Sequence, residues 1–263
     1  MIRKYSPQLV LFYALTLLIA YGLKYHYSHA GSDDLIWVLR PTAFLTESFS
    51  NIHFERETNT GFVNCDHQII IAPSCAGINF MIIVFCLSAF SGLDKMKGSR
   101  YKNLWLGLSL IFAYFYTLLV NTIRIIISIH SYEKGLFQSL LTAENIHRLE
   151  GILIYFICLY VFYVLLEKVI DLTRRRKFKE KSSEIKKISY KKVFITGLIP
   201  VFWYCSISLG IPLLNRAYLS GGIEFIKHST IVLTVCLLVF MVFFIARISC
   251  QGLLIKLRYR KNN

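Results

Sequence analysis

Six long apolar runs recur along the 263 residues, and they settle the fold class before any motif is read. They cover about Pro7 to Tyr25, Ala76 to Leu93, Leu104 to Ile129, Leu149 to Leu172, Val193 to Leu214 and Ser229 to Ser249. Each approaches the roughly 20 residues an α-helix needs to cross about 30 Å of hydrocarbon. Inside lipid, an open-ended chain satisfies its backbone polar groups only as helices. The sequence therefore predicts an all-α, polytopic transmembrane helix bundle of about six spans. Composition agrees: 55% of residues are apolar, 17% charged, and the mean hydropathy is +0.52, which leaves too little polar surface for a soluble globule of this size.

A net charge of +15 invites a nucleic-acid reading, but the basic residues lie in short connections between apolar runs rather than on one soluble face. They read as topology signals, and no nucleic-acid partner is expected. Alternating six spans puts the N-terminus, Lys95 to Lys102, Arg174 to Lys192 and Lys256 to Lys261 on one side, together with most of the 30 lysines and arginines. That side is predicted to be cytoplasmic, with both termini inside. The first run follows a basic start and lacks a small-residue cleavage site, so it reads as a retained anchor. Between spans one and two lies a small extracytoplasmic segment. In it, Leu35 to Ile52 is apolar but broken at Arg40-Pro41 and reads as an interfacial or re-entrant helix pair. Phe54 to Ile71 reads as a hairpin turning at Asn59-Thr60-Gly61. The polar run before Val193 divides the chain into a core at 1–172, a basic cytoplasmic linker at 173–192 and a C-terminal two-span hairpin with a basic tail at 193–263.

Seven cysteines without a Cys-x-x-Cys pair argue against a dithiol relay or a structural zinc site. Five fall in or beside apolar helices and read as small packing residues. Cys65 and Cys75 remain, both on the outer side. A disulfide between them is chemically possible there and would block either thiol. Ala72-Pro73-Ser74-Cys75-Ala76-Gly77 opens span two, with Ser74 expected as helix N-cap and Cys75 in the first turn, where free N–H groups and the helix dipole favour a thiolate. Gly77 would permit close approach by another backbone or a substrate. Arg124 lies one turn from the outer end of span three with isoleucines on either side, and Asn121 shares its face. An arginine in an apolar setting costs roughly 2.5–3.5 kcal/mol on insertion scales at mid-membrane and less near the boundary, which marks it as a functional candidate; the alternative is a snorkelling anchor. His147 begins span four.

Cys75, Arg124 and His147 are thus expected at one outer depth on three consecutive, closely connected spans. A thiol and an imidazole are the minimum set for covalent acyl transfer, and a guanidinium, always protonated, can stabilise the oxyanion but cannot act as base. Two other readings stay open. A transporter or scaffold could use the same polar cluster for binding. A zinc hydrolase could draw on His53, Asp66, His67 and His130, although His-Glu-x-x-His is absent; no metal and no cofactor are expected.

The segments Ser74-Cys75-Ala76-Gly77-Ile78-Asn79-Phe80, Asn121-Thr122-Ile123-Arg124 and His147-Arg148-Leu149-Glu150-Gly151 resemble those of the exosortase/archaeosortase membrane transpeptidases over roughly residues 70 to 160. The resemblance implies Cys75 as nucleophile, Arg124 as oxyanion or carbonyl partner and His147, among seven histidines, as acid/base. Ser74, Gly77, Asn79, Asn121 and Glu150 would support them. It further implies cleavage through a Cys75 thioester and transfer to an acceptor, on the outer face of a bacterial inner membrane. The substrates would be secreted proteins with a C-terminal sorting signal made of a short motif, one transmembrane helix and a basic tail. Membrane lipids are the other expected partner. The C-terminal pair of spans lies outside the matching segments.

Overall fold

The computed structural model describes residues 6–66, 69–133, 143–177 and 190–262. Six helical segments are long and apolar enough to cross a membrane: Pro7–His29, Pro73–Lys95, Ser99–Tyr132, Arg148–Leu172, Val193–Leu214 and Gly221–Ser249. The all-α polytopic architecture expected from the apolar runs is the one observed. Two compact units divide at Leu159 and Tyr160, within the fourth span. Most of the expected basic linker, 178–189, lies outside the described residues.

The first unit begins with α1 (Pro7–His29), started by Ser6, whose Oγ accepts the Leu9 N–H at 3.3 Å, and by Pro7 in the first turn. Helix α3 (Ile78–Gly92) is apolar all round and nearly wholly buried, the mark of a central helix. It packs against α1 and against α4 (Ser99–Glu133). Gly92 ends α3 under the Trp105 indole, whose Nε1 donates to the Ser88 carbonyl at 3.2 Å.

The stretch expected to be a helix pair is a single helix, α2 (Ile36–Ser50), with Pro41 inside it. Proline lacks the N–H that would bond the carbonyl four residues back. That carbonyl belongs to Trp37, and the Tyr114 hydroxyl of α4 donates to it at 2.8 Å, so the helix runs through its proline with the vacated acceptor filled. Asn51, in the left-handed region, closes α2.

The expected hairpin is a three-stranded antiparallel sheet: β1 (Glu55–Glu57), β2 (Gly61–Asn64) and β3 (Ile69–Ile71) in sequence order. The first turn falls at Asn59-Thr60-Gly61 as predicted, with Asn59 at φ +66° and Gly61 at φ +129°. The β-branched run forms a third strand because Gly61–Asn64 already pairs with Glu55–Glu57 and offers its other edge to Ile69–Ile71. β3 leads directly toward Cys75. Helix α5 (Ala143–Lys177) contributes its first half to this unit.

In the second unit, α6 (Tyr190–Cys205) packs on α8 (Ala217–Asn262), with a π-helical turn at Ser206–Gly210 and the short α7 (Ile211–Leu214) between them. α8 is kinked at Gly222, where φ is +42°. Tyr160 stacks on Phe243 with ring centroids 4.3 Å apart, and Glu167 Oε2 lies 3.8 Å from Arg247 Nη2.

Candidate functional site

Cys75 closes a 3₁₀ turn, Pro73–Cys75, in which its N–H donates to the Ala72 carbonyl at 2.8 Å. This corrects two sequence expectations. Ser74 is exposed and makes no capping hydrogen bond; Gly77 is the N-cap of α3, so Cys75 stands before the helix and not in its first turn. The cause is backbone geometry: Pro73 starts a tight turn of its own, and Gly77, at φ +70°, redirects the chain into α3 through a conformation other residues rarely adopt. Gly77 is also tightly enclosed. A Cβ there would sit 3.1 Å from the Tyr155 hydroxyl, 3.2 Å from Thr117 Cγ2 and 3.4 Å from Asn121 Cγ. The close approach expected of Gly77 is real, and its neighbours are side chains of α4 and α5.

Asn121 is the hub. Fully buried, it donates from Nδ2 to the Cys75 carbonyl at 2.6 Å. Its Oδ1 accepts from Tyr155 Oη at 2.7 Å and from Arg124 Nε at 3.2 Å. One amide thus ties the Cys75 turn, the arginine and α5 together, and its donor and acceptor ends are both fixed. Arg124 is only 6% exposed, so the snorkelling alternative fails: a side chain reaching for water would not be enclosed by protein. Its guanidinium lies 5.5 Å from the Tyr155 ring centroid, a cation–π contact, and within hydrogen-bonding reach of the Cys75 side chain. Cys75 itself is half-buried, and no disulfide joins it to Cys65.

His147 lies in the second turn of α5, and its side chain falls outside the described residues. The backbone register places it four residues before Gly151 and eight before Tyr155, on one stripe of the helix. At Gly151 the helix comes close to Arg124: a Cβ there would lie 3.7 Å from Arg124 Cδ. Glu150 accepts from Ser128 Oγ of α4 at 3.1 Å and so clamps α5 to α4 one residue away from that stripe. Asn79 turns toward α1, where its Oδ1 accepts from Lys24 Nζ at 2.8 Å.

Three residues absent from the sequence reading belong to this cluster. Tyr155 stacks on Phe80 at 4.7 Å between centroids while bonding Asn121. Tyr27 of α1 lies close enough to Cys75 and Arg124 to interact with both electrostatically, and Lys24 sits 5.4 Å above its ring. Lys24 carried a signal, a charge inside an otherwise apolar run; the tyrosines, being ordinary core residues by composition, carried none. Of the residues weighed for zinc, His53 pairs with Glu47 at 3.0 Å, His130 Nδ1 lies 3.1 Å from the Ile126 carbonyl and His67 is outside the described residues. Among the described residues no group of three or more His, Cys, Asp and Glu is placed to hold a metal ion.

Comparison with curated proteins and with solved structures gives no match. The model of one family, the transmembrane exosortases, matches residues 8–164, which runs from α1 to the middle of α5 and contains every residue of the cluster. With well over half of its length matched, and with the matched part coinciding with the buried polar site, the chain belongs to the transmembrane exosortase family, membrane enzymes of protein sorting.

Proposed function

We propose that this chain is a membrane-embedded cysteine transpeptidase, with residues 1–172 as its catalytic core and 193–263 as an appended helical hairpin. Cys75 is the nucleophile, Arg124 the carbonyl and oxyanion partner and His147 the acid/base. The observation that carries the reading is the Asn121 amide, which holds the Cys75 carbonyl at 2.6 Å and the Arg124 Nε at 3.2 Å and so sets a thiol and a guanidinium beside one another. A fixed cation next to a nucleophile is what acyl transfer needs, because charge develops on the carbonyl oxygen as sulfur attacks.

The imidazole takes the thiol proton, and sulfur adds to the scissile carbonyl carbon. Arg124 stabilises the oxyanion of the tetrahedral intermediate. Its collapse breaks the C–N bond, with the imidazolium returning its proton to the leaving amine. The resulting Cys75 thioester is then attacked by an acceptor nucleophile, which regenerates the thiol. The charge distribution supports an extracytoplasmic site in a bacterial inner membrane, with both termini cytoplasmic. The substrates are secreted proteins whose C-terminal signal ends in one transmembrane helix and a basic tail. Such a helix lies beside the bundle in the bilayer and brings its outer end to Cys75.

The test is trapping. The full chain, wild type or Arg124→Ala, is co-expressed with signal-bearing cargo, and Cys75 is examined by mass spectrometry for a hydroxylamine-sensitive cargo adduct. The adduct is expected in both and absent from Cys75→Ala. Cargo processed at full rate by Cys75→Ala, or processed by wild type with no adduct under any quench, would overturn the mechanism.

A further inference from the structure

At the opposite end of the first unit from Cys75, one lysine occupies a core position. The buried stripe of α4 runs Lys102, Leu106, Ser109, Ala113, Thr117 and Asn121, at helical spacing, while Tyr101 and Leu104 beside its start are 59% exposed. Lys102 itself is only 7% exposed. Its ammonium reaches into the crevice between α4 and α1, 5.7 Å from the centroid of the Phe12 ring, and among the described residues no carboxylate or carbonyl accepts from it. The lysine stem is enclosed while its ammonium, with only a ring face beside it among the described residues, is held at the crevice in position to take an anion.

The surroundings are built for one. Lys102 is in the first turn of α4, and its backbone N–H is taken by the Gly98 carbonyl at 3.3 Å. The first turn of any α-helix carries N–H groups beyond those its own carbonyls can take, and they sum to a partial positive charge. Gly98, at φ +86°, leaves open space where a side chain would stand. The 3₁₀ turn Leu93–Lys95 packs against both α1 and α4 and brings Lys95 to the rim, and exposed Arg100 follows in α4. Against this stands one carboxylate, the exposed Asp94.

We propose that Lys102, the first turn of α4, Lys95 and Arg100 hold the phosphate of an anionic phospholipid. A lipid, rather than free phosphate, is favoured by what flanks the site. It opens where two membrane spans, Pro7–His29 and Ser99–Tyr132, begin. Tyr101 and Trp105 stand at the level where aromatic side chains meet headgroups. Below them Leu11, Leu104 and Leu108 are more than half exposed and offer an apolar track for an acyl chain.

The experiment uses the full chain in nanodiscs of phosphatidylcholine alone, of phosphatidylcholine with phosphatidylglycerol, and of phosphatidylcholine with inorganic phosphate in the buffer. Co-purified lipid is counted by mass spectrometry and unfolding is followed by temperature. Phosphatidylglycerol is expected to be retained by wild type and to raise its unfolding temperature by about 2–4 °C. Lys102→Gln should retain it about fivefold less, and Lys191→Gln, at an exposed basic site elsewhere, should retain it as wild type does. Lys102→Met separates binding from folding. In phosphatidylcholine alone it should unfold no earlier than wild type, because an unbranched apolar side chain keeps the packing of the enclosed lysine stem, yet it should gain nothing from phosphatidylglycerol. Equal retention by Lys102→Gln, equal stabilisation by inorganic phosphate, or equal destabilisation of Lys102→Met in both lipids would overturn the proposal.

Discussion

Replacing Asn121 in two ways separates holding the site together from aiming it. Asn121→Ala removes three hydrogen bonds at once and strands the Cys75 carbonyl, the Tyr155 hydroxyl and one edge of the Arg124 guanidinium. If each bond is worth the ~0.6 kcal/mol typical between membrane helices, the loss is about 2 kcal/mol. If all three stranded groups stay dry, it rises to roughly 5 kcal/mol. At about 2–4 °C per kcal/mol for a chain of this size, the unfolding temperature in detergent should fall by about 4 °C at the least. Asn121→Asp keeps both acceptor contacts and turns the Arg124 contact into an ion pair, so its stability should stay near wild type. What it loses is the donor to Cys75: an oxygen now faces the carbonyl at the 2.6 Å position, and the Pro73–Cys75 turn must move away. A displacement of about 1 Å at a reacting atom costs about 10²-fold in rate. The paired readouts are thermal unfolding and the rate of cargo processing, with Cys75 alkylation by a maleimide reporting the turn directly. An Asp variant as unstable as Ala, or one that processes cargo and alkylates at wild-type rates, would refute the role given to this amide.

Three further outcomes follow from the packing. Gly77→Ala forces a left-handed residue to carry a Cβ 3.1 Å from the Tyr155 hydroxyl, and should lower stability by about 2 kcal/mol; unchanged unfolding would contradict the strain argument. Tyr114→Phe should cost about 1 kcal/mol in the wild-type background but almost nothing alongside Pro41→Ala, whose restored N–H takes over the Trp37 carbonyl, so a double-mutant cycle in which the two effects simply add would count against that bond. Cys65 and Cys75 should both accept a maleimide without prior reduction while buried Cys86 does not, and a reductant requirement at Cys75 would reinstate the bridge between the outer cysteines.

The spans were legible because lipid imposes one rule on every residue within it, and six apolar runs obey that rule by length and composition alone. The polar residues of the site were legible for the converse reason: Asn121 and Arg124 break the rule where they stand. What stayed hidden are pairings across distance. Pro41 reads as a helix breaker until Tyr114, 77 residues beyond Trp37, supplies the missing partner. Ser74 has the chemistry of a cap, yet the positive φ of Gly77 decides where α3 begins, and no local preference of serine competes with that. Tyr155 sits among aliphatic and aromatic neighbours and reads as packing; what sets it apart is the Asn121 carbonyl oxygen at 2.7 Å and the Arg124 guanidinium over its ring, and neither is written in its neighbours along the chain. Lys102 reads as one more cytoplasmic charge until its burial is seen.

The bond between Tyr114 and the Trp37 carbonyl also sets an order of events during synthesis. A ribosome releases α2 well before it reaches Tyr114, and for that interval the carbonyl that Pro41 leaves open in α2 has only water to bond. The helix is drawn against its neighbour once α4 has entered. α2 is therefore a late arrival in its own unit, and slowing translation between residues 50 and 114 should lengthen the time it remains open to protease from the aqueous side.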